Sequence, residues 1–355
     1  MTTGKRDAIG LGVIGCGRIA QVAHLPALEK LPEFDLVAAC DHSGSLAHSV
    51  GRRYRFERVV EKASAVFTDD DVQAVLISVP DRYHADLVTE ALHHGKHVLV
   101  EKPLATSSEE TTRVIEAAAG STAIVQIASM KRHDPGIAYA ARAAATEIGA
   151  VISFNAWYRV PVRTHDIPYF PAMFVDQQVS QVEQAFKADQ QRGQYVLATH
   201  GAHVFDTLRY ILGDFTTVTA HHRQHGDDHL WAGTLQTPKD GIGWFEILAN
   251  VHGTWSEGLE VHGTAGTLRL RTHVPFARRP SDIQVYTDAT GGWNVPVFDN
   301  GDAYVNQLQA FAAAIHGDTP PMPSLADGVA AVALLEAASI SDRTTAPVEL
   351  EAATQ

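Results

Sequence analysis

A glycine turn between an apolar strand and a helix, answered some residues later by an acid, constrains this chain more than any other feature. Residues 9–14 (Ile-Gly-Leu-Gly-Val-Ile) form a short apolar run, followed by Gly15-Cys16-Gly17-Arg18-Ile19-Ala20. Ile19, Val22, Ala23 and Leu28 then recur at helical spacing up to Leu31-Pro32, and a second apolar run, 36–40, ends on Asp41. Strand, glycine turn, helix, strand and acid within about 30 residues predict a βαβ unit that binds a dinucleotide. Gly15 permits the tight turn, Gly17 lets backbone approach a pyrophosphate at the positive end of the helix, and Ala20 lets helix pack on strand. Arg18 and Ile19 are counted with them as cofactor-binding residues. Asp41 would accept hydrogen bonds from a ribose diol and repel a 2′-phosphate. His42-Ser43 brings no Arg to receive one, so the cofactor expected is NAD rather than NADP.

The alternation continues. Residues 74–79 are a nearly unbroken apolar run ending at Pro80, the mark of a strand covered on both faces. A helix follows from about His84, with Ala85, Val88, Ala91 and Leu92 on one face and Gly95 as its stop. Residues 97–100 form the next strand, which delivers Glu101-Lys102-Pro103 at its carboxyl end, the edge where open α/β sheets bind ligands. Lys102 is therefore aimed at the cofactor region. A helix over about 107–119 and a strand over 123–127 complete a doubly wound Rossmann domain, residues 1–128. Beyond it, short β-like runs at about 151–160, 216–221, 231–237, 244–251, 257–263 and 267–271 are separated by Gly, Pro and Asp turns. A closing helix over 324–341 has Ser324 as its N-cap and Val329, Val332, Ala333 and Leu335 in its interior. The fold class expected is α/β, with a second domain at 129–355.

At 355 residues the chain is long enough for roughly two domains of about 150 residues. Lys plus Arg is 28 and Asp plus Glu is 41, so the net charge is 28 − 41 = −13, and general nucleic-acid binding is excluded as the activity. Two cysteines, Cys16 and Cys40, cannot build a disulfide framework. No apolar signal core stands at the N-terminus, and no run reaches the ~18 apolar residues of a membrane span. A cytoplasmic protein with no membrane partner is expected.

These motifs together make the chain resemble the Gfo/Idh/MocA family of sugar and polyol oxidoreductases. The resemblance covers nearly the whole length. It rests on residues 15–20, Pro80 with His84, Glu101-Lys102-Pro103, Lys131-Arg132-His133-Asp134-Pro135, Gly201-Ala202-His203-Val204-Phe205-Asp206, Gly263-Thr264-Ala265-Gly266-Thr267 and the closing helix from Leu325 to Ser341. It implies an NAD(P)-binding domain followed by an α+β domain on a large open, mostly antiparallel sheet. Substrate would lie between them, and the sheet would make a homodimer or homotetramer. It also implies that Lys102 orients the reacting hydroxyl, that His203 is the catalytic histidine and that His84 helps position the nicotinamide ribose. Glu101 and Pro80 join the cofactor residues.

Moving a hydride from a carbinol carbon requires loss of the hydroxyl proton to a base near neutral pKa. His203 is the best candidate. It opens a helical pattern (Val204, Leu208, Ile211, Leu212), and a place at the positive end of a helix would keep its imidazole neutral. Asp206, three residues on, could share its face. Many family members carry Asp four residues before the catalytic His, where this chain has Thr199; His200 and Tyr195 are nearby substitutes.

Residues 161–196 read as a lengthened segment holding Arg163, His165, Asp166, Tyr169 and Phe170. It is either a surface excursion or subunit arm, or a substrate lid. Arg159, Arg163, Lys131 and Arg132 could together receive an anionic group. His221-His222-Arg223-Gln224-His225 with His229 matches no metal spacing, and Gly226-Asp227-Asp228 reads as a hairpin turn. No metal is expected, and Cys16 reads as a small packing residue. The expected function is NAD-dependent oxidation of a secondary hydroxyl on a small carbohydrate substrate. Two alternatives stand beside it: an NAD-dependent glycosidase working by transient oxidation, elimination, hydration and re-reduction, and a non-catalytic NAD-binding regulator.

Overall fold

The computed structural model describes residues 8–161, 173–176, 192–299 and 301–350. They form two compact units. The first contains residues 8–128, 173–176 and 304–329, and the second contains 129–161, 192–299, 301–303 and 330–350. Residues 304–329, grouped with the second half on sequence, thus pack in the first unit. The reason is an apolar and polar seam: Phe311 stacks on Phe34 (centroids 6.4 Å apart), and the backbone N–H of Ile127 donates to Pro323 O at 3.1 Å.

The first unit is built on a six-stranded parallel sheet, β1 (Ile9–Ile14), β2 (Phe34–Cys40), β3 (Arg58–Val60), β4 (Ala74–Ile77), β5 (His97–Val100) and β6 (Val125–Ile127), in the order β3-β2-β1-β4-β5-β6. The direction of stacking reverses between β2 and β4 on either side of β1, which is the doubly wound arrangement. Every residue of β1 and β4 is buried, as strands covered on both faces must be.

The second unit is built on nine strands: β7 (Val151–Pro161), β8 (Thr217–His225), β9 (Asp228–Gln236), β10 (Ile242–Val251), β11 (Ser256–Gly263), β12 (Gly266–Thr272), β13 (Asp282–Thr287), β14 (Gly292–Asn294) and β15 (Val348–Glu349). Their order is β14-β13-β12-β11-β7-β10-β9-β8-β15, antiparallel except for β7 beside β10. Alternation along β7 turns Phe154, Ala156, Tyr158 and Val160 into a core shared with Trp231, Phe205 and Phe245. Asp134 caps the helix Pro135–Thr146, accepting from the N–H groups of Gly136 (2.8 Å) and Ile137 (3.1 Å), with Pro135 at the first helical position. This accounts for the Asp-Pro pair seen in the sequence. No described helix is long and apolar enough to cross a membrane.

Candidate active site

The glycine turn follows β1. Gly15 has φ +95°, and a Cβ there would stand 2.2 Å from Ser78 O, so only glycine fits. Gly17 is the opposite case. Nothing lies within 4 Å of where its Cβ would stand, which leaves open space above bare backbone. A pyrophosphate fits that space. Asp41 at the end of β2 is buried, its carboxylate accepting from Cys16 N–H (2.9 Å) and Ser43 N–H (2.9 Å), which fixes the acid beside the turn. A carboxylate has about four acceptor sites, so it can still take a ribose diol. The residues present therefore fit a dinucleotide. Arg18 is exposed, and Ile19 half-buried, in the first turn of the helix that follows. Burial, then the charge of Asp41, pushes the Cys16 thiol far above its ordinary value and Cys40 up to about 12. Neither is a nucleophile.

At the carboxyl end of β5, Glu101 meets His24, with Nε2 to Oε1 at 2.8 Å. Burial alone would raise the Glu101 carboxyl. The hydrogen bond from His24, with the charges of His24, Lys102 and His84, outweighs it and holds the group below its ordinary value. The other Glu101 oxygen accepts the backbone N–H of Lys102 at 3.2 Å, so the acid braces the residue that carries the lysine. His84 is buried. Its Nδ1 lies 2.6 Å from Pro103 O and its Nε2 2.9 Å from Val79 O. Both ring nitrogens are thus turned to backbone carbonyls of the loops after β4 and β5. His84 braces those loops, next to Pro80, instead of presenting a nitrogen to a ribose.

In the second unit one helical run carries the acid/base candidates. It is α-helical over Arg192–Val196 and Ala202–Leu212, with a wider π-helical turn over Leu197–Gly201. His203 therefore lies within a helix that already runs at Arg192. The field of a helix end fades within its first turn, so the expected dipole effect does not act on His203. Periodicity from Val204 onward concealed this, because the wide turn changes the phase of the face before it. Thr199 and His200 sit in the wide turn, and both are half-buried, as is His203. Such turns gather at functional sites. The helix after Gly17 contains another, Ala20–His24.

Tyr158 on β7 lies beside these histidines. Its ring is parallel to that of His203 (centroids 5.8 Å, planes 6°) and stacks on His200 (5.3 Å, 30°), while Trp255 meets it edge-on at 5.0 Å. The Lys131 ammonium lies 4.7 Å from the Tyr158 ring centre.

Among the described residues, each cation of the expected anion pocket is paired with an acid. Lys131 is buried against the Glu257 carboxylate. Burial pushes its ammonium below the ordinary value, and Glu257 opposes that shift. Arg132 makes a two-pronged pair with Asp206, Nε to Oδ1 at 3.0 Å and Nη2 to Oδ1 at 2.8 Å, both residues buried. Asp206 is thereby committed to Arg132. Arg159 donates to Glu246 at 2.5 Å. A buried charge needs its own counter-ion, and Lys131 and Arg132 each have one built in; the partly exposed Arg159 is paired as well. Arg163, like His165, Asp166, Tyr169 and Phe170, lies outside the described residues.

His222 and His229 stack across the β8–β9 hairpin, with Nε2 and Nδ1 3.0 Å apart, and the turn falls at Gly226-Asp227. Among the described residues no group of three or more His, Cys, Asp or Glu could hold a metal. Sequence reasoning missed His24, Tyr158 and Gln21. Tyr158 was legible as an inward position of an alternating strand. The other two carried no signal, because their partners are far away in sequence.

The chain belongs to the Gfo/Idh/MocA oxidoreductase family: residues 9–129 match its NAD-binding Rossmann fold, and residues 175–350 match its C-terminal alpha/beta domain. It is similar to a D-xylose 1-dehydrogenase (NADP(+)) of Haloferax volcanii, 28% identical over 96% of this chain and 99% of the relative. It is also similar to a scyllo-inositol 2-dehydrogenase (NAD(+)) of Bacillus subtilis, 27% identical over 96% and 95%. In fold it matches a levoglucosan dehydrogenase in complex with NADH, with a TM-score of 0.80 and 22% identity over 97% of this chain and 100% of that one.

Proposed function

We propose that the chain oxidises a secondary hydroxyl of an uncharged sugar, polyol or glycoside with NAD. The observation that carries this reading is the open space over Gly17 beside the buried Asp41 carboxylate, in a chain of an oxidoreductase family. Gly15, Gly17 and Asp41 would hold the dinucleotide, Asp41 toward the adenosine ribose. NAD supplies the hydride acceptor when bound. The remaining work falls to side chains. Lys102 donates a hydrogen bond to the reacting hydroxyl and steadies the negative charge that grows on its oxygen. His203 accepts the hydroxyl proton, leaving the carbonyl, and returns it in the reverse direction. Tyr158 holds the plane of that imidazole. The counter-ions on Lys131, Arg132 and Arg159 favour an uncharged substrate over an acidic one.

We further propose that the chain forms a homodimer or homotetramer through its second sheet. Ile242 and Trp244 on the central strand β10 are each more than half exposed, on the face of the sheet turned away from core residues Phe245 and Ile247.

The test is His203→Ala and Lys102→Ala in the full chain, with NADH binding read by nicotinamide fluorescence beside turnover. Retained binding with turnover lowered about 10²–10⁴-fold in His203→Ala supports the roles. Full turnover in either variant removes the proposed mechanism.

A further inference from the structure

The turn after β2 is contacted by a segment far from it in sequence. Residues 173–176 lie on the first unit, fixed at two points. The side-chain amide of Gln21, itself 4% exposed, takes both backbone groups of Phe174: Nε2 donates to Phe174 O at 3.0 Å, and Phe174 N–H donates to Oε1 at 2.9 Å. The same Nε2 donates to Cys16 O at 2.9 Å, so the segment is tied to the glycine turn itself. Two residues on, Asp176 Oδ2 accepts from the hydroxyls of Ser43 (2.5 Å) and Ser45 (3.1 Å).

Ser43 therefore stands between two carboxylates. Its N–H donates to Asp41 and its hydroxyl to Asp176. A third, Glu61, packs so closely on Gly44 that a Cβ there would collide with it. Three acids thus border residues 41–45, where the adenosine ribose would sit if the dinucleotide reading holds. A 2′-phosphate carries about −1.5 to −2 charges at neutral pH. Discrimination between two ligands is achieved as much by repulsion of the wrong one as by attraction of the right one. Asp41 alone gives one repelling charge. Asp176 adds a second from a segment with no sequence signature, and Ser43 and Ser45 hold it in place.

We propose that Asp176 is a specificity-determining residue for the cofactor, working with Asp41 to exclude a 2′-phosphorylated dinucleotide. This rests on the reading of the first unit as an NAD site. The test is titration of the apo full chain with NADH and NADPH, read by nicotinamide fluorescence, in the wild type, Asp176→Asn and Ser43→Ala/Ser45→Ala. Asp176→Asn removes the charge at constant shape. The expected result is a wild type that prefers NADH, and a preference reduced about tenfold in Asp176→Asn and in the double serine variant. A wild type that binds neither dinucleotide overturns the underlying reading. A wild type that binds NADH, with a preference that Asp176→Asn leaves unchanged, overturns the proposal alone. Equal weakening toward both dinucleotides also overturns it, because that is what a purely structural anchor for 173–176 would give.

Discussion

Tyr158 lies face to face with His203, the two ring planes 6° apart and their centroids 5.8 Å apart. Tyr158 is 2% exposed and edged by Trp255, so it cannot turn away, and it limits the tilt of the imidazole beside it. This aromatic contact helps hold the imidazole of the proposed base in place. Tyr158→Leu is expected to lower kcat about tenfold, because a loosely held base spends less time in a productive pose. Tyr158→Phe keeps the ring and should stay much closer to the wild type. Steady-state kinetics on the two variants check it.

The two glycines of the turn predict opposite defects. Gly17→Ala meets no atom within 4 Å, so the unfolding midpoint should hold while NADH affinity falls at least about tenfold. Gly15→Ala meets Ser78 O at 2.2 Å from a backbone at φ +95° and should cost about 1–3 kcal/mol of stability. Thermal unfolding and NADH titration on both variants separate space for a ligand from space for the fold.

Glu101 should mark the acid limb of stability. Its carboxyl is held below the ordinary value in the folded chain, so it adds stability above that ordinary value and loses it as pH falls through the lower folded one. Glu101→Gln lacks this contribution. The gap in denaturation midpoint between wild type and Glu101→Gln should be wide near neutrality and close in acid. An unchanged gap contradicts the assignment.

Breaking the buried Lys131–Glu257 pair on one side should be severe. Glu257→Leu leaves an ammonium buried and unpaired, at a cost of about 3–5 kcal/mol, whereas Lys131→Met/Glu257→Leu together should cost much less. Urea unfolding of the single and double variants measures the difference.

The first unit was largely legible because its elements are local. The glycine turn, the second-strand acid and the fully apolar strands each announce themselves over a few residues. Strands β7 to β12 were also found by alternation and turns. β13, β14 and β15 were not: β14 and β15 are edge strands of three and two residues, too short to show alternation, whereas the alternating β13 was legible and was missed. What failed was what depends on distant partners. The cations at 131, 132 and 159 look available in sequence, and only the fold brings Glu257, Asp206 and Glu246 to them. His203 looked like a helix start because a π turn breaks the period just before it. His84 looked like a ligand residue until both its nitrogens were placed on carbonyls.

The most direct measurement is a substrate panel with NAD, in which uncharged polyols, free sugars and nitrophenyl glycosides are read for NADH and nitrophenol in the same wells. Net NADH formation with an uncharged polyol or sugar, lost in His203→Ala, is the predicted result. Nitrophenol release that requires NAD but accumulates no NADH would contradict it and make the chain a redox-neutral glycosidase.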